Sequence, residues 1–153
     1  MALFIKSKRR CRECKDNVIQ NGYLFRCTKC KSVFWHRSVL AKDLNNDEVI
    51  LEQTLIDANV PIDKNTKKNH FYVYRITLTG KPSNSVYVGM TGLHPYYRYL
   101  NHLRGHKAAN VVKRRAKSLI KYEGPMSYIK ASEREKSLKI ELETIYNKVY
   151  GGH

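Results

Sequence analysis

The stretch Phe71–His102, FYVYRITLTGKPSNSVYVGMTGLHPYYRYLNH, decides the fold. Tyr72, Val73, Tyr74 and Ile76 are β-branched or aromatic. They give way to the turn mixture Thr79, Gly80, Lys81, Pro82, Ser83 and Asn84, after which Val86, Tyr87 and Val88 resume the same chemistry, so the pattern predicts a β-hairpin. Gly89 is expected to stop the second strand. Past Gly92 and Pro95 a helix is expected, and on it Arg98 and His102, four residues apart, share one face one turn from each other.

Composition widens the reading. The chain has 153 residues, 29 Lys and Arg against 13 Asp and Glu, and a net charge of +16. Residues 1–40 hold ten basic and two acidic side chains, 41–70 four and six, and 71–153 fifteen and five. Two basic blocks around a mildly acidic spacer predict two surfaces facing one polyanion, with DNA as the expected partner. No segment has the lysine-rich and apolar faces of a membrane-binding helix, so a membrane partner is not expected. The short apolar run at the start precedes its positive cluster, the reverse of a secretory signal, and nothing approaches the roughly 20 apolar residues of a membrane span. The expectation is an intracellular, cytoplasmic protein.

All four cysteines fall early, as Cys11-x-x-Cys14 and Cys27-x-x-Cys30 with twelve residues between the pairs. Each C-x-x-C turn can aim two thiolates at one point, and two such turns complete the tetrahedral sulfur cage that zinc accepts. With Gly22 in the connecting turn, Tyr23–Phe25 as one strand and Val33–Trp35 as another, the segment resembles a zinc ribbon. Four thiolates leave no open position for water, so the Zn2+ is expected to be structural. Disulfides would need an oxidising compartment. His36 is expected at the surface or facing DNA, and the ribbon's cations make it a candidate DNA-docking module.

In order along the chain, Tyr72-Val73-Tyr74, Tyr87-Val88-Gly89 and Arg98-x-x-x-His102 resemble the GIY-YIG nuclease domain. Tyr72 stands where that family usually has glycine, and Val73 and Val88 where it has isoleucine. The family also uses a glutamate on a later helix, within a pattern that Ala131, Glu135, Leu138 and Tyr146-Asn147 fit in register. The resemblance implies metal-dependent hydrolysis of a DNA phosphodiester. Tyr74 would act as general base if a nearby cation lowers its phenol pKa from about 10, and Arg98 would clamp the phosphate. His102 and Tyr87 would assist, and Asn147 would be a positioning residue. Glu135 would hold Mg2+ or Mn2+, since one carboxylate with several waters suits a hard cation. Glu143 is the fallback ligand.

The remaining elements are read from periodicity. Residues 41–58 are expected to form a short helix behind Asn46 and Asp47, and 59–70 have a linker's composition. Lys107–Tyr122 reads as an amphipathic helix or a pair of short ones with a basic outer face, and Ala131–Tyr150 as one helix. The expected fold is therefore α+β: a zinc ribbon over 1–40, helix and linker over 41–69, and over 70–153 a small β-hairpin-based antiparallel sheet flanked by helices. The expected activity is that of a DNA endonuclease, with the oligomeric state open between a monomer and a dimer on DNA. The alternatives are a non-catalytic zinc-containing nucleic-acid-binding protein and a zinc-bearing protein-interaction adaptor.

Overall fold

The computed structural model describes residues 4–40, 48–60, 69–104 and 109–151. Its first part contains the strands β1 (Ile5–Arg10), β2 (Asn17–Asn21), β3 (Leu24–Cys27) and β4 (Val33–Trp35), a 3-10 turn at Arg37–Leu40, and helix α1 (Glu48–Asp57). The hairpin follows as β5 (Phe71–Leu78) and β6 (Ser85–Thr91), then helices α2 (Pro95–Arg104) and α3 (Asn110–Arg115), strand β7 (Ala116–Met126), helix α4 (Tyr128–Glu143) and strand β8 (Lys148–Gly151). The fold is α+β.

The hairpin forms with Tyr72 opposite Thr91, Tyr74 opposite Gly89 and Leu78 opposite Ser85. Gly89 does not end β6, which runs on to Thr91. The expected small antiparallel sheet is instead part of one eight-stranded mixed sheet, ordered β1-β2-β3-β4-β7-β5-β6-β8. The ribbon's strands join it through the pair Val33 and Leu119. The expected linker falls mostly on residues 61–68, and the expected caps Asn46 and Asp47 precede α1; both lie outside the described residues.

Two helical expectations are corrected. Among the described residues of the 107–122 segment only Asn110–Arg115 is helical, and Ala116–Met126 is a strand paired along most of β5. The free edge of β5 supplies a ladder of backbone partners, which outweighs the weak helical periodicity of so short an apolar run. Likewise α4 ends at Glu143, and Lys148–Gly151 turns back as a strand parallel to β6. The start of α4 is fixed by Ser127, whose hydroxyl accepts a bond from the Lys130 N–H.

Alternation along β5 and β6 divides the core in two. On one face Tyr74, Ile76 and Leu78 pack with Tyr99, Leu100 and Leu103 of α2, Leu51 and Leu55 of α1, and Val33 and Trp35 of the ribbon. On the other, Val73, Val86 and Val88 pack with Ala131, Leu138 and Leu142 of α4 and Val149 of β8. The ribbon is fused to the rest by specific bonds as well. The Trp35 indole N–H donates to Tyr96 O at 3.3 Å, and Arg12 donates to Lys117 O at 2.8 Å while lying 4.1 Å over the Phe34 ring. Among the described residues, no helix is long and apolar enough to cross a membrane.

Candidate active site and metal centre

The hairpin and α2 bring four of the expected residues together. Tyr74 and Tyr87 project from the same face of β5 and β6 with ring centroids 6.1 Å apart, and His102 of α2 lies 6.0 Å from the first ring and 5.6 Å from the second. The Tyr74 hydroxyl sits 2.7 Å from His102 Nε2. Arg98, one turn earlier on α2, bonds to Tyr74, and its charge acts on Tyr74, Tyr87 and His102.

The hydrogen bonds fix a direction of proton donation. His102 Nδ1 accepts the Ala109 backbone N–H at 3.3 Å, so in the neutral ring the proton is on Nε2, which donates to Tyr74 Oη. Tyr74 and Tyr87 also act on each other, the pair interaction raising the first phenol and lowering the second. Burial brings the His102 pKa down to about 3, assisted by the Arg98 charge, so the ring is a neutral donor. The expectation that a cation lowers the Tyr74 phenol is not met. Tyr74 is only 1% exposed, and this burial together with the neighbouring Tyr87 raises its pKa against the opposing pull of Arg98. Tyr87, half-buried, is raised chiefly by burial and further by the Glu135 charge, while Arg98 and the neighbouring Tyr74 act to lower it.

Gly89 is the residue that sequence reasoning placed but misread. A Cβ there would lie 2.5 Å from the Tyr74 hydroxyl oxygen and 2.8 Å from Tyr87 Cε1. Glycine is required by the two phenols that close over it, and its register opposite Tyr74 is the signal that could have shown this. Tyr72, at the position where a glycine was expected, is buried against His94 and Tyr122, with centroids at 5.6 and 6.0 Å.

Glu135 approaches from the opposite layer. It lies on the packed face of α4 with Ala131, Leu138 and Leu142, is 6% exposed, and its charge reaches Tyr87. Strand β8 covers β6 from Ser85 to Val88, Tyr87 included, and the rest of β6, from Gly89 to Thr91, runs beyond it. A single carboxylate fits a Mg2+ or Mn2+ ion that keeps several waters. The other acids of α4 lie elsewhere: Glu141 pairs with Arg134 at 3.1 Å, and Glu143 is exposed. Asn147 is not brought to the tyrosines by its bonds. Its side chain donates to Ser83 O at 2.9 Å and its N–H to Asn84 O at 2.9 Å, tying the α4–β8 turn to the hairpin turn.

The four cysteine sulfurs lie within 4.8 Å of one another, with Cys11 to Cys30 at 3.6 Å and Cys14 to Cys27 at 3.5 Å. Tetrahedral Zn–S bonds of about 2.3 Å place sulfurs roughly 3.8 Å apart, so the cluster can hold a metal ion in the manner of a zinc ribbon. Backbone N–H groups of Glu13, Lys29 and Cys30 point at Cys11 and Cys27 sulfurs at 3.3–3.4 Å. Burial pushes the Cys11 thiol up to about 12. At Cys27 burial also acts upward, but the N–H bonds and neighbouring thiols outweigh it and bring the group down to about 7. The fold thus holds one sulfur ready to ionise at neutral pH. His36 is not in the cluster; its Nε2 accepts from Arg9 at 2.9 Å.

No protein-family model, curated protein or solved structure matches the chain. Its class is set by its own architecture: an α+β protein with a four-cysteine cluster able to hold a metal, and a phenol, imidazole and guanidinium cluster on a shared sheet.

Proposed function

We propose that this protein is a metal-dependent DNA endonuclease of the GIY-YIG type, in which a structural Zn2+ on Cys11, Cys14, Cys27 and Cys30 holds a ribbon that helps dock DNA. The observation that carries this reading is the convergence of Tyr74, Tyr87, Arg98 and His102, with the Glu135 charge reaching the same phenol.

Hydrolysis of a phosphodiester needs a water relieved of a proton and charge compensation around the phosphorus. Tyr87 is the more accessible of the two phenols and burial keeps it protonated; we therefore have Tyr87 Oη accept a hydrogen bond from the attacking water and orient it, the water's proton passing to solvent as the new P–O bond forms, and make Tyr74, held by His102, its positioning residue. Arg98 presents a planar fork of donors to two phosphate oxygens. Neutral His102 fixes the Tyr74 hydroxyl and carries no charge that would compete with Arg98. Glu135 would hold a Mg2+ or Mn2+ ion, which when bound would neutralise charge on the phosphate and the leaving oxygen. The net charge of +16 supplies a sequence-independent attraction for the phosphate backbone.

The test is cleavage of supercoiled plasmid by zinc-loaded protein with Mg2+ or Mn2+, run beside Glu135→Gln. Wild-type protein should nick the plasmid. The variant should lose at least about a hundredfold in rate, the loss of roughly 3 kcal/mol expected when transition-state charge compensation goes, while binding DNA within about twofold. Binding by both proteins without cleavage by either would leave the non-catalytic nucleic-acid-binding reading. Affinity that barely changes between low and high salt would instead favour a protein-interaction adaptor.

A further inference from the structure

The ribbon and the hairpin half of the sheet meet at the single register pair Val33 and Leu119. Toward the second cysteine turn the two halves part, leaving a recess of about 470 Å3 between Cys30–Lys31 on one side and Lys121–Tyr122 on the other. Its floor is apolar and buried, formed by Val33, Leu119 and Tyr96. Its rim is cationic, with Arg26, Lys31 and Lys121, and no carboxylate lines it among the described residues. Lys31 and Lys121 are exposed; the Lys31 ammonium donates to the Thr28 carbonyl in its own turn, at 3.0 Å.

One aromatic ring stands at this rim already fixed in place. Tyr122 is 38% exposed, yet its ring makes edge contacts with Tyr72, His94 and Tyr96 at 6.0, 5.2 and 6.0 Å. Such a ring offers contact area without having to give up rotamer freedom on binding. The location is also informative. Tyr122 is paired directly opposite Tyr74, and the His94 carbonyl accepts the Arg98 N–H at 3.0 Å, so the aromatic group adjoins the candidate active site along both the sheet and the helix.

Cations around a fixed aromatic ring, over an apolar floor, match the chemistry of an unpaired nucleotide, whose base needs a π-surface and whose flanking phosphates need positive charge. An acidic peptide would satisfy the charge but would make no use of the ring. The recess has the volume of a small-ligand site and is far too small for a duplex. We propose that it receives an unpaired nucleotide of a DNA strand, its base against Tyr122 and its phosphates on Lys31, Lys121 and Arg26, so that the substrate carries single-stranded character beside the scissile bond. This deepens the nuclease reading by naming the form of its substrate, but as a binding site it stands whether or not the protein cuts.

The experiment is fluorescence anisotropy with zinc-loaded full-length protein in buffer free of Mg2+ and Mn2+. The probes are a labelled oligothymidylate, an abasic strand of equal length, and a blunt hairpin duplex. Wild-type protein should bind oligothymidylate more tightly than the abasic strand. Tyr122→Ala should weaken oligothymidylate about tenfold, within the range expected for loss of one base stack. It should leave the abasic strand and the duplex within about twofold, and Tyr122→Phe should bind like wild type. The double charge reversal Lys31→Glu, Lys121→Glu should weaken oligothymidylate and abasic strand together. The proposal is overturned by Tyr122→Ala weakening all three probes alike or none of them, by equal wild-type affinity for the thymidylate and abasic strands, or by an absence of strand binding. Plasmid cleavage is scored separately with Mg2+, so failure of catalysis and failure of this site give different results.

Discussion

The Tyr74 hydroxyl and His102 Nε2 lie 2.7 Å apart in a position sealed from solvent, with His102 0% exposed. Their bond is directional because Ala109 donates to the other ring nitrogen. Tyr74→Phe keeps the ring over Gly89 and beside Tyr87 but removes the hydroxyl that His102 holds. Cleavage should fall by about a hundredfold, the cost of misplacing a reacting group by roughly 1 Å. His102→Gln should lose a comparable amount. DNA affinity measured without Mg2+ should change less than about threefold in both.

The same burial gives the fold a pH dependence of defined sign. An unfolded histidine titrates near 6.5, whereas His102 is held down to about 3 and His94 to about 4, each chiefly by burial. Between these values and 6.5 the unfolded chain binds protons that the folded chain refuses. Stability is therefore complete above about pH 6.5 and declines as the pH falls through this window. Urea unfolding midpoints between pH 7 and pH 4 should fall with pH, and His102→Gln, though less stable at pH 7, should show a shallower fall. An equally steep fall in that variant would mean that His102 is not the group responsible.

Gly89→Ala places a methyl group 2.5 Å from the Tyr74 hydroxyl oxygen and 2.6 Å from its Cζ. Both phenols must move. Stability should drop by about 1–3 kcal/mol, as for other overpacked sites, read by thermal or denaturant melting. Cleavage should drop further than either tyrosine-to-phenylalanine change alone, because one methyl displaces both phenols together.

Removal of the metal should be felt in the hairpin half of the molecule. Trp35 is the only tryptophan in the sequence, lies in the core shared by ribbon and α2, and donates to Tyr96 O. One zinc per chain is expected by elemental analysis, and Cys14→Ser should abolish it. Chelation should shift tryptophan emission to the red and lower the melting temperature, with plasmid cleavage lost in parallel. Unchanged emission after complete zinc removal would show that the ribbon's folding is not coupled to the core.

Asn147 provides a contrast with the catalytic expectation placed on it. Its bonds to Ser83 and Asn84 close the hairpin turn. Asn147→Ala should therefore cost about 0.5–1.5 kcal/mol, the net worth of an ordinary hydrogen bond, and leave the cleavage rate per folded molecule unchanged. A stable variant with tenfold slower cleavage would return Asn147 to the site.

By itself the sequence determined what depends on near neighbours. The two C-x-x-C turns each close locally, and the short β2–β3 hairpin between them brings all four sulfurs within 4.8 Å. The hairpin forms where a period-two pattern meets a turn mixture, and Arg98 and His102 share a helix face because they are four residues apart. Tertiary structure decided what depends on distant partners. Residues 116–126 became a strand because β5 offered an unpaired edge, not because their own pattern asked for one. Residues 148–151 left the expected helix for the edge of β6. Tyr74 lost its role as an easily ionised phenol only when α2 covered it, since burial has no local signature. Tyr122, expected near a helix end, stands beside Tyr72, His94 and Tyr96 because three separate segments converge there. Spacing along the chain fixes local geometry; which groups are sealed from water, and so how they titrate, is fixed only by what packs over them.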